Sequence, residues 1–149
     1  MRLESIDATN WRAAGAVRLA PGQLGMVSSF EPVAFMILAK QYLRVAGFEW
    51  HALAVYEDDR IVGVMAMVDE LEVRQCFALY NFIIGAEDQG RGLGTAAIMA
   101  ALDWARDRGA ASVRLTVNYS NEGAKRLYER LGFVAAGDFE GELGMVRAL

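Results

Sequence analysis

The sequence has one cysteine, two prolines and one histidine among 149 residues, and two further features are missing. A lone cysteine, Cys76, cannot form an internal disulfide, which excludes a disulfide-stabilised scaffold and favours a reducing compartment. No run of about 18 uninterrupted apolar residues is present, so we expect neither a membrane-spanning helix nor a membrane partner. The opening residues MRLESIDATN lack the apolar segment of a signal peptide. A cytoplasmic location is therefore the default expectation.

Positive charge is also scarce, because 15 Lys and Arg stand against 19 Asp and Glu, for a formal net charge of −4. Without a basic run, the chain lacks what phosphate neutralisation requires, so we expect no nucleic-acid partner. Acidic residues gather at 57–59, 69–72 and 138–142. Such clusters are either solvated hairpin ends or part of a surface that attracts a cationic ligand, and both interpretations stay open.

The order of predicted elements indicates one mixed α/β domain over residues 1–149. No linker, repeat or low-complexity segment divides the chain, and its length suits a single core. Apolar periodicity and turn residues predict a sheet with helices on its faces. The predicted helices are 9–20, 28–44, 93–108 and 121–132, and the predicted strands are 51–57, 60–70, 73–85, 111–118, 133–139 and 143–149.

The second predicted helix shows an N-terminal signature. Ser28 is followed three residues later by Glu31, the spacing of a capping box, and Pro32 falls in the first turn, where proline is tolerated. Its apolar face is predicted from positions i, i+3, i+4 and i+7, which are Phe35, Leu38, Ala39 and Tyr42.

The stretch QGRGLGTAA at 89–97 places three glycines on alternate positions between a predicted strand and a predicted helix. Glycine costs a helix about 1 kcal/mol relative to alanine, so this turn needs bare backbone for another purpose. The first N–H groups of a helix have no internal partners, and they carry a partial positive charge. Without Cβ atoms at Gly90, Gly92 and Gly94, a diphosphate can approach them closely. The pattern therefore favours a phosphate site over a flexible loop.

Two common phosphate motifs do not fit. Residues 92–97 match G-x-G-x-x-A of the dinucleotide fingerprint, but that fingerprint expects a carboxylate at the end of the next strand. The next predicted strand ends in Val117-Asn118. A P-loop is excluded because no G-x-x-x-x-G-K-[ST] is present. A dinucleotide-dependent oxidoreductase thus stays only as a weak alternative.

The same segment strongly resembles the acyl-CoA loop of the GNAT superfamily of N-acetyltransferases, written [RQ]-x-x-G-x-[GA]. Residues 89–94, QGRGLG, fit every fixed position, and NEGAKRLYERLGF at 121–133 is similar to the family's later N-x-x-A-x-x-L-Y-x-x-x-G-F segment. The resemblance covers residues 50–149 well and the first fifty only in outline. It implies the GNAT fold, with a central, mostly antiparallel sheet of about six to seven strands and about four helices.

The resemblance also implies how acetyl-CoA binds, with no metal. Backbone N–H groups of Arg91, Gly92, Gly94 and Thr95 would hold the diphosphate, with Gln89 and Gly90 at the loop entry. The strand backbone at Phe82 and Ile84 would pair with the pantetheine arm, as an added β-strand does. Asn121 is either an N-cap or a residue beside the CoA arm, and both roles stay open.

For the chemistry, the resemblance implies direct attack of an amine on the thioester, with Tyr128 as the general acid. Taken alone, Tyr128 would be a core aromatic on an amphipathic helix. Some relatives place a basic glutamate where this chain has Ala78. Tyr80 or Asn81 could instead align a water chain, and Glu31, Glu72 or His51 could supply a remote base.

The resemblance implies an amine acceptor, and we expect an amine of a small molecule. The segments GRGLGTAAI and GDFEGELGMV resemble the subgroup of bacterial diamine and polyamine N-acetyltransferases, which suggests a polyamine, while amino acids, antibiotics and protein amines stay open. Five aromatic residues could line an acceptor pocket or belong to the core: Trp11, Phe30, Tyr42, Phe48 and Trp50. A homodimer is expected, as for many members. The alternative class is a non-catalytic acyl-CoA sensor on the same fold. The absence of a glutamate at Ala78 favours this alternative, and the presence of Tyr128 argues against it.

Overall fold

The computed structural model describes residues 1–26, 28 and 30–149. Its strands are β1 (Arg2–Ser5), β2 (Glu49–Glu57), β3 (Arg60–Glu70), β4 (Cys76–Ile84), β5 (Ser112–Val117), β6 (Val134–Phe139) and β7 (Glu142–Ala148). Its α-helices are α1 (Trp11–Gly15), α2 (Val33–Leu43), α3 (Leu71–Arg74), α4 (Leu93–Asp107) and α5 (Glu122–Arg130).

All seven strands form one sheet in the order β1-β2-β3-β4-β5-β7-β6. Every neighbouring pair is antiparallel except β4 and β5, which run parallel. The mixed, mostly antiparallel sheet is therefore confirmed. The single parallel pair lies at the centre of the sheet, and its strands separate near their carboxyl ends.

Each face of the sheet carries its own apolar core. One core joins the sheet to α4 and α5 through residues such as Leu53, Phe77, Ile98 and Leu102. The other packs α1 and α2 against small strand residues, with Ile37 fully buried among them. Because Ala52, Ala54, Ala66 and Ala78 leave little side-chain volume on this second face, α2 can lie close to the strands.

Two elements were not predicted. The strand β1 is paired with β2 but is almost wholly exposed, so it carries no apolar alternation that a sequence pattern could reveal. The four-residue helix α3 occupies the start of the segment expected to be strand, so β4 begins at Cys76 instead of Val73. The first predicted helix is real but shorter, with only Trp11–Gly15 helical.

The capping box expected at Ser28 is wrong. The helix begins at Val33 with Pro32 as its N-cap, while Ser29 lies outside the described residues. The Ser28 hydroxyl donates to the Phe30 carbonyl at 2.9 Å, and the Glu31 carboxylate accepts from the Leu19 N–H at 3.0 Å. A local bond to Phe30 thus engages the Ser28 hydroxyl, and a tertiary bond to Leu19 engages the Glu31 carboxylate, so neither group caps the helix.

The apolar face predicted for α2 is also wrong. The helix buries Val33, Ala34 and Ile37, whereas Tyr42 is 88% exposed and Phe35 is 38% exposed. Both faces of this helix are rich in apolar residues, so periodicity could not decide which one meets the sheet. None of the helices in the described part of the chain is long and apolar enough to cross a membrane.

Candidate active site

A bulge in β4 and the separation of β4 from β5 create a cleft at the centre of the sheet. Opposite Met65 of β3 the strand β4 has an extra residue, and Asn81 adopts a left-handed conformation with φ of 52°. Within the described residues, the parallel pairing of β4 with β5 ends at Leu79 and Leu115. Backbone groups of β4 beyond this point therefore face an opening instead of a neighbouring strand.

The cleft has a volume of about 290 Å³. It is lined by β4 residues 79–84, by β5 and the turn after it at 115–118, and by the buried side of α5. Six of the ten residues singled out from the sequence line it: Phe82, Ile84, Gln89, Gly94, Asn121 and Tyr128. The other four, Gly90, Arg91, Gly92 and Thr95, are exposed on the turn that enters α4, just beside the opening.

The glycine turn leaves the N-terminus of α4 uncapped. Gly90 and Gly92 have φ of 78° and 76°, in the left-handed region that favours glycine. Gly92 is the N-cap and has no side chain to offer, and the first helical donor, the Ala96 N–H, bonds the Gly92 carbonyl at 3.4 Å. The N–H groups of residues 93–95 precede that bond, so they form a positive end suited to an anion.

Side chains of the turn hold its shape. The Arg91 guanidinium donates to both Glu57 carboxylate oxygens at 2.9 and 3.0 Å and to Asp88 at 3.1 Å. Asp88 also pairs with Arg60, and these arginines hold the pKa of its carboxyl below its usual range. The Gln89 amide donates to the Ile84 carbonyl at 2.9 Å. The Arg91 side chain therefore pairs with the protein's own carboxylates. Its expected contribution to diphosphate binding comes from its backbone N–H.

Tyr128 lies at the inner wall of the cleft. Its ring is 8% exposed and meets Phe133 edge-on, with ring centroids 5.6 Å apart. Burial raises the pKa of Tyr128 to about 12. In the described part of the chain, no hydrogen bond occupies its hydroxyl. The phenol is thus protonated at neutral pH and free to donate into the cleft.

Asn121 caps the helix that carries Tyr128. Its side-chain oxygen accepts from the Ala124 N–H at 3.2 Å, which confirms the N-cap role. The same residue lines the cleft, so the two roles left open by the sequence are compatible in position.

The three remote bases suggested by the sequence do not lie in the cleft. Glu31 is engaged by the Leu19 N–H, and Glu72 lies on α3 beside a separate surface depression. His51 packs edge-on against Trp104, near the opposite end of α4 from the cleft, where burial lowers its pKa. There, its ligand atoms and those of Glu49 and Asp69 lie within 4.8 Å of one another.

Glu142 also lines the cleft, although the sequence indicated it only as part of the acidic cluster at 138–142. It begins β7, and among the described residues it is the only carboxylate that lines the cleft. The Thr116 hydroxyl donates to its Oε1 at 3.5 Å. Of the three acidic clusters, only the one at 138–142 contributes to this opening. Of its other two carboxylates, Glu140 is exposed, and Asp138 accepts from Tyr119 at 2.8 Å and from the Gly141 N–H.

The mouth of the cleft toward α2 carries aromatic and cationic groups. Tyr80 and Trp50 have ring centroids 5.5 Å apart, and the Lys40 ammonium lies 5.1 Å from the Trp50 ring. Lys40 also donates to the Asn81 side chain at 3.3 Å, and burial lowers its pKa. Of the five aromatic residues proposed for the pocket, Trp50 is buried here, whereas Trp11, Phe30 and Tyr42 are exposed and Phe48 packs against the α2 core.

A buried ion pair fixes Tyr80 from the other side. Glu70, at the end of β3, is 1% exposed and pairs with Arg74 and with Arg114 of β5. Arg114 Nη2 lies 3.4 Å from the Tyr80 hydroxyl, to which it donates. This network crosses β4 and connects three strands beside the bulge.

A family model described as Acetyltransferase (GNAT) family matches residues 25–133. The chain belongs to this family. The match includes both strands of the cleft, the glycine turn and the helix that carries Tyr128, which confirms the resemblance noted from the sequence.

Curated relatives match part of the chain. An uncharacterised N-acetyltransferase of Methanocaldococcus jannaschii is 34% identical over 82 residues, which cover 55% of this chain and 36% of that protein. A mycothiol acetyltransferase of Rhodococcus jostii is 47% identical over 88 residues, covering 55% and 28% respectively. The chain thus spans about a third of the length of these relatives.

Solved structures share the fold at low sequence identity. Spermidine N-acetyltransferase of Vibrio cholerae, solved with CoA and spermine, superposes with a TM-score of 0.75 at 19% identity, covering 98% of this chain and 94% of that one. The ribosomal-protein-S18-alanine N-acetyltransferase of Escherichia coli has a TM-score of 0.66 at 23% identity, covering 99% and 91%. At these identities the likeness establishes the GNAT fold.

Proposed function

We propose that this chain is an acetyl-CoA-dependent N-acetyltransferase that acts on a primary amine. The observation that carries the proposal is the cleft between β4 and β5, with an uncapped helix N-terminus at one end and, on its wall, a buried tyrosine whose hydroxyl borders the cleft without a hydrogen bond to the described residues. The helix N-terminus suits a diphosphate, and the tyrosine hydroxyl suits a thioester.

Acetyl-CoA would lie along β4. The N–H groups of Arg91, Gly92, Gly94 and Thr95 hold the diphosphate, and Gln89 and Gly90 shape the entry. Strand backbone at Phe82 and Ile84, which lies beyond the end of the pairing between β4 and β5, bonds the amide groups of the pantetheine arm. Asn121 supports this arm while it caps α5. We assign no metal to the reaction, which transfers an acyl group between a thiol and an amine.

Tyr128 serves as the general acid by donating a hydrogen bond to the sulfur as negative charge develops on it. Its pKa of about 12 keeps the phenol protonated at every physiological pH. Full transfer to a thiolate with a pKa near 8.5 would be uphill by about 5 kcal/mol. This environment therefore supports acid catalysis in which Tyr128 donates a hydrogen bond to the sulfur in the transition state. Solvent shares in the final protonation of the thiolate.

The acceptor we propose first is a polyamine, as the terminal segment indicated. A net charge of −4 and a carboxylate in the cleft support a cationic acceptor. An α-amine of an amino acid or peptide is the second candidate, favoured by Lys40 and Arg114 near the mouth, which suit an acceptor that also carries a carboxylate.

The test is release of CoA from acetyl-CoA, followed with a thiol reagent, across spermidine, putrescine, amino acids, a short peptide and an aminoglycoside. We expect amine-dependent release that saturates with one of these classes. Binding of acetyl-CoA without release from any amine would favour the acyl-CoA sensor instead. Thermal protection by NAD but not by CoA would favour the dinucleotide alternative.

A further inference from the structure

We propose that Glu142 is the general base that removes a proton from the acceptor ammonium. The inference rests on the proposed function. It adds the base that is missing at Ala78, where some relatives have a glutamate. A protonated amine has no lone pair, so a base is needed at neutral pH before the amine can attack a thioester.

Glu142 and Tyr128 line the same cleft from different elements, β7 and α5. An acceptor that reaches the thioester at the bulge of β4 would enter beside Glu142. Among the described residues, the others that line this cleft are neutral side chains and the two tyrosines, Tyr80 and Tyr128.

The surroundings of Glu142 leave its carboxylate available. Thr116 is its one side-chain partner, at 3.5 Å, and the side chain is partly exposed. Asp138 on the adjacent strand is held by Tyr119 and Gly141, and so does not compete for the same role.

Few titratable or charged groups line or border the cleft that contains Glu142. Tyr80 belongs to β4, Arg114 to β5, Asp138 to β6 and Tyr128 to α5, while Lys40 of α2 reaches the cleft through Asn81. Arg114 is paired with the buried Glu70. No second free carboxylate therefore lies among these groups to take the proton in place of Glu142.

The Glu142 carboxylate takes one proton from R–NH₃⁺, and the neutral nitrogen forms a bond to the thioester carbonyl carbon. The C–S bond then breaks, and its electron pair leaves on sulfur, stabilised by Tyr128. The nitrogen releases its second proton as the amide forms, and one proton ends on the thiol. The proton on Glu142 returns to solvent.

The experiment compares wild type, Glu142→Gln and the matched control Glu140→Gln, which changes an exposed carboxylate on the same turn. At pH 7, Glu142→Gln should lower kcat/KM for an ammonium acceptor by about 10²-fold. The loss should shrink as the pH approaches the acceptor's own pKa. With an O-alkylhydroxylamine, an acceptor already neutral at pH 7, the variant should be within about threefold of wild type. The control should match wild type throughout, and all three proteins should bind CoA equally.

Three results would overturn the proposal: an active Glu142→Gln with an unchanged pH profile, an equal loss with the neutral acceptor, or an effect on KM for the acceptor alone. Wild-type protein that turns over no amine would instead refute the proposed function itself. The two failures are thus distinguishable.

Discussion

At the scale of single residues, Tyr128 is both a core residue and the general acid that we propose. Its ring belongs to the apolar core, packed against Phe133, while its hydroxyl borders the cleft. Removing the hydroxyl leaves the packing intact. The Tyr128→Phe variant should therefore separate catalysis from stability.

We expect Tyr128→Phe to lower kcat by about 10²-fold, because a donor to the leaving sulfur is lost. The Kd for CoA and the melting temperature should change little. Steady-state kinetics with a calorimetric titration check this expectation. Undiminished kcat would reduce Tyr128 to a packing residue.

The same buried phenol should make stability sensitive to high pH. The folded pKa is raised from 10 to about 12, so the unfolded chain ionises first. The stabilising effect of the buried neutral form is complete below pH 10 and is lost as the pH rises to about 12. The loss is about 3 kcal/mol over that window. Urea denaturation at pH 9 and pH 11.5 should show a steeper decline for wild type than for Tyr128→Phe, and parallel declines would contradict it.

At the scale of elements, α5 is a nine-residue helix whose position depends on its N-cap and one buried aromatic side chain. Asn121 bonds the Ala124 N–H, and no other cap side chain serves this helix in the described structure. The cap therefore affects both the stability of α5 and the placement of Tyr128.

We expect Asn121→Ala to cost about 1 kcal/mol of unfolding free energy and to lower kcat through the displacement of Tyr128. Asn121→Ser keeps a capping oxygen and should recover most of the stability. Urea denaturation of the three proteins gives the comparison. Equal stability of the alanine and serine variants would show that the cap contributes nothing.

At the scale of the whole molecule, the ion pair between Glu70 and Arg114 connects β3 with β5 across β4. Removing one partner of a buried pair leaves an uncompensated charge, so Glu70→Ala should cost about 3–5 kcal/mol. Glu72→Ala, an exposed neighbour on α3, is the matched control and should be close to neutral. Chemical denaturation measures both, and equal stability of the two variants would show that the pair is not structural.

The glycine turn and the Tyr128 helix could be predicted from the sequence because their requirements are local. Left-handed backbone at Gly90 and Gly92, and a cap at Asn121, depend on neighbouring residues alone. The same holds for the hairpin of β2 and β3, whose Asp58-Asp59 turn is confirmed.

The rest depends on pairing between distant segments. The bulge at Asn81 appears only when β4 is registered against β3, and Glu142 reaches the cleft only because β7 pairs with β5. The capping box at Ser28 failed for the same reason, because Glu31 bonds Leu19 instead.

The single domain and the homodimer remain predictions. Sedimentation equilibrium decides the latter by a mass of 16.3 kDa or twice that value.

The central claim is that the bare backbone at the start of α4 receives the diphosphate of CoA, and Gly94→Ala tests it most directly. Gly94 has ordinary helical φ, and an added Cβ would meet Leu127 at 3.6 Å, a normal contact. Alanine should stabilise the unliganded helix by up to about 1 kcal/mol. It should also hinder the close approach of the phosphates.

A calorimetric titration of CoA into wild type and Gly94→Ala, with their melting temperatures, is the measurement. We predict a variant that is at least as stable as wild type and binds CoA about tenfold or more weakly. Equal affinity for CoA in the two proteins, or no binding by wild type, would contradict the account.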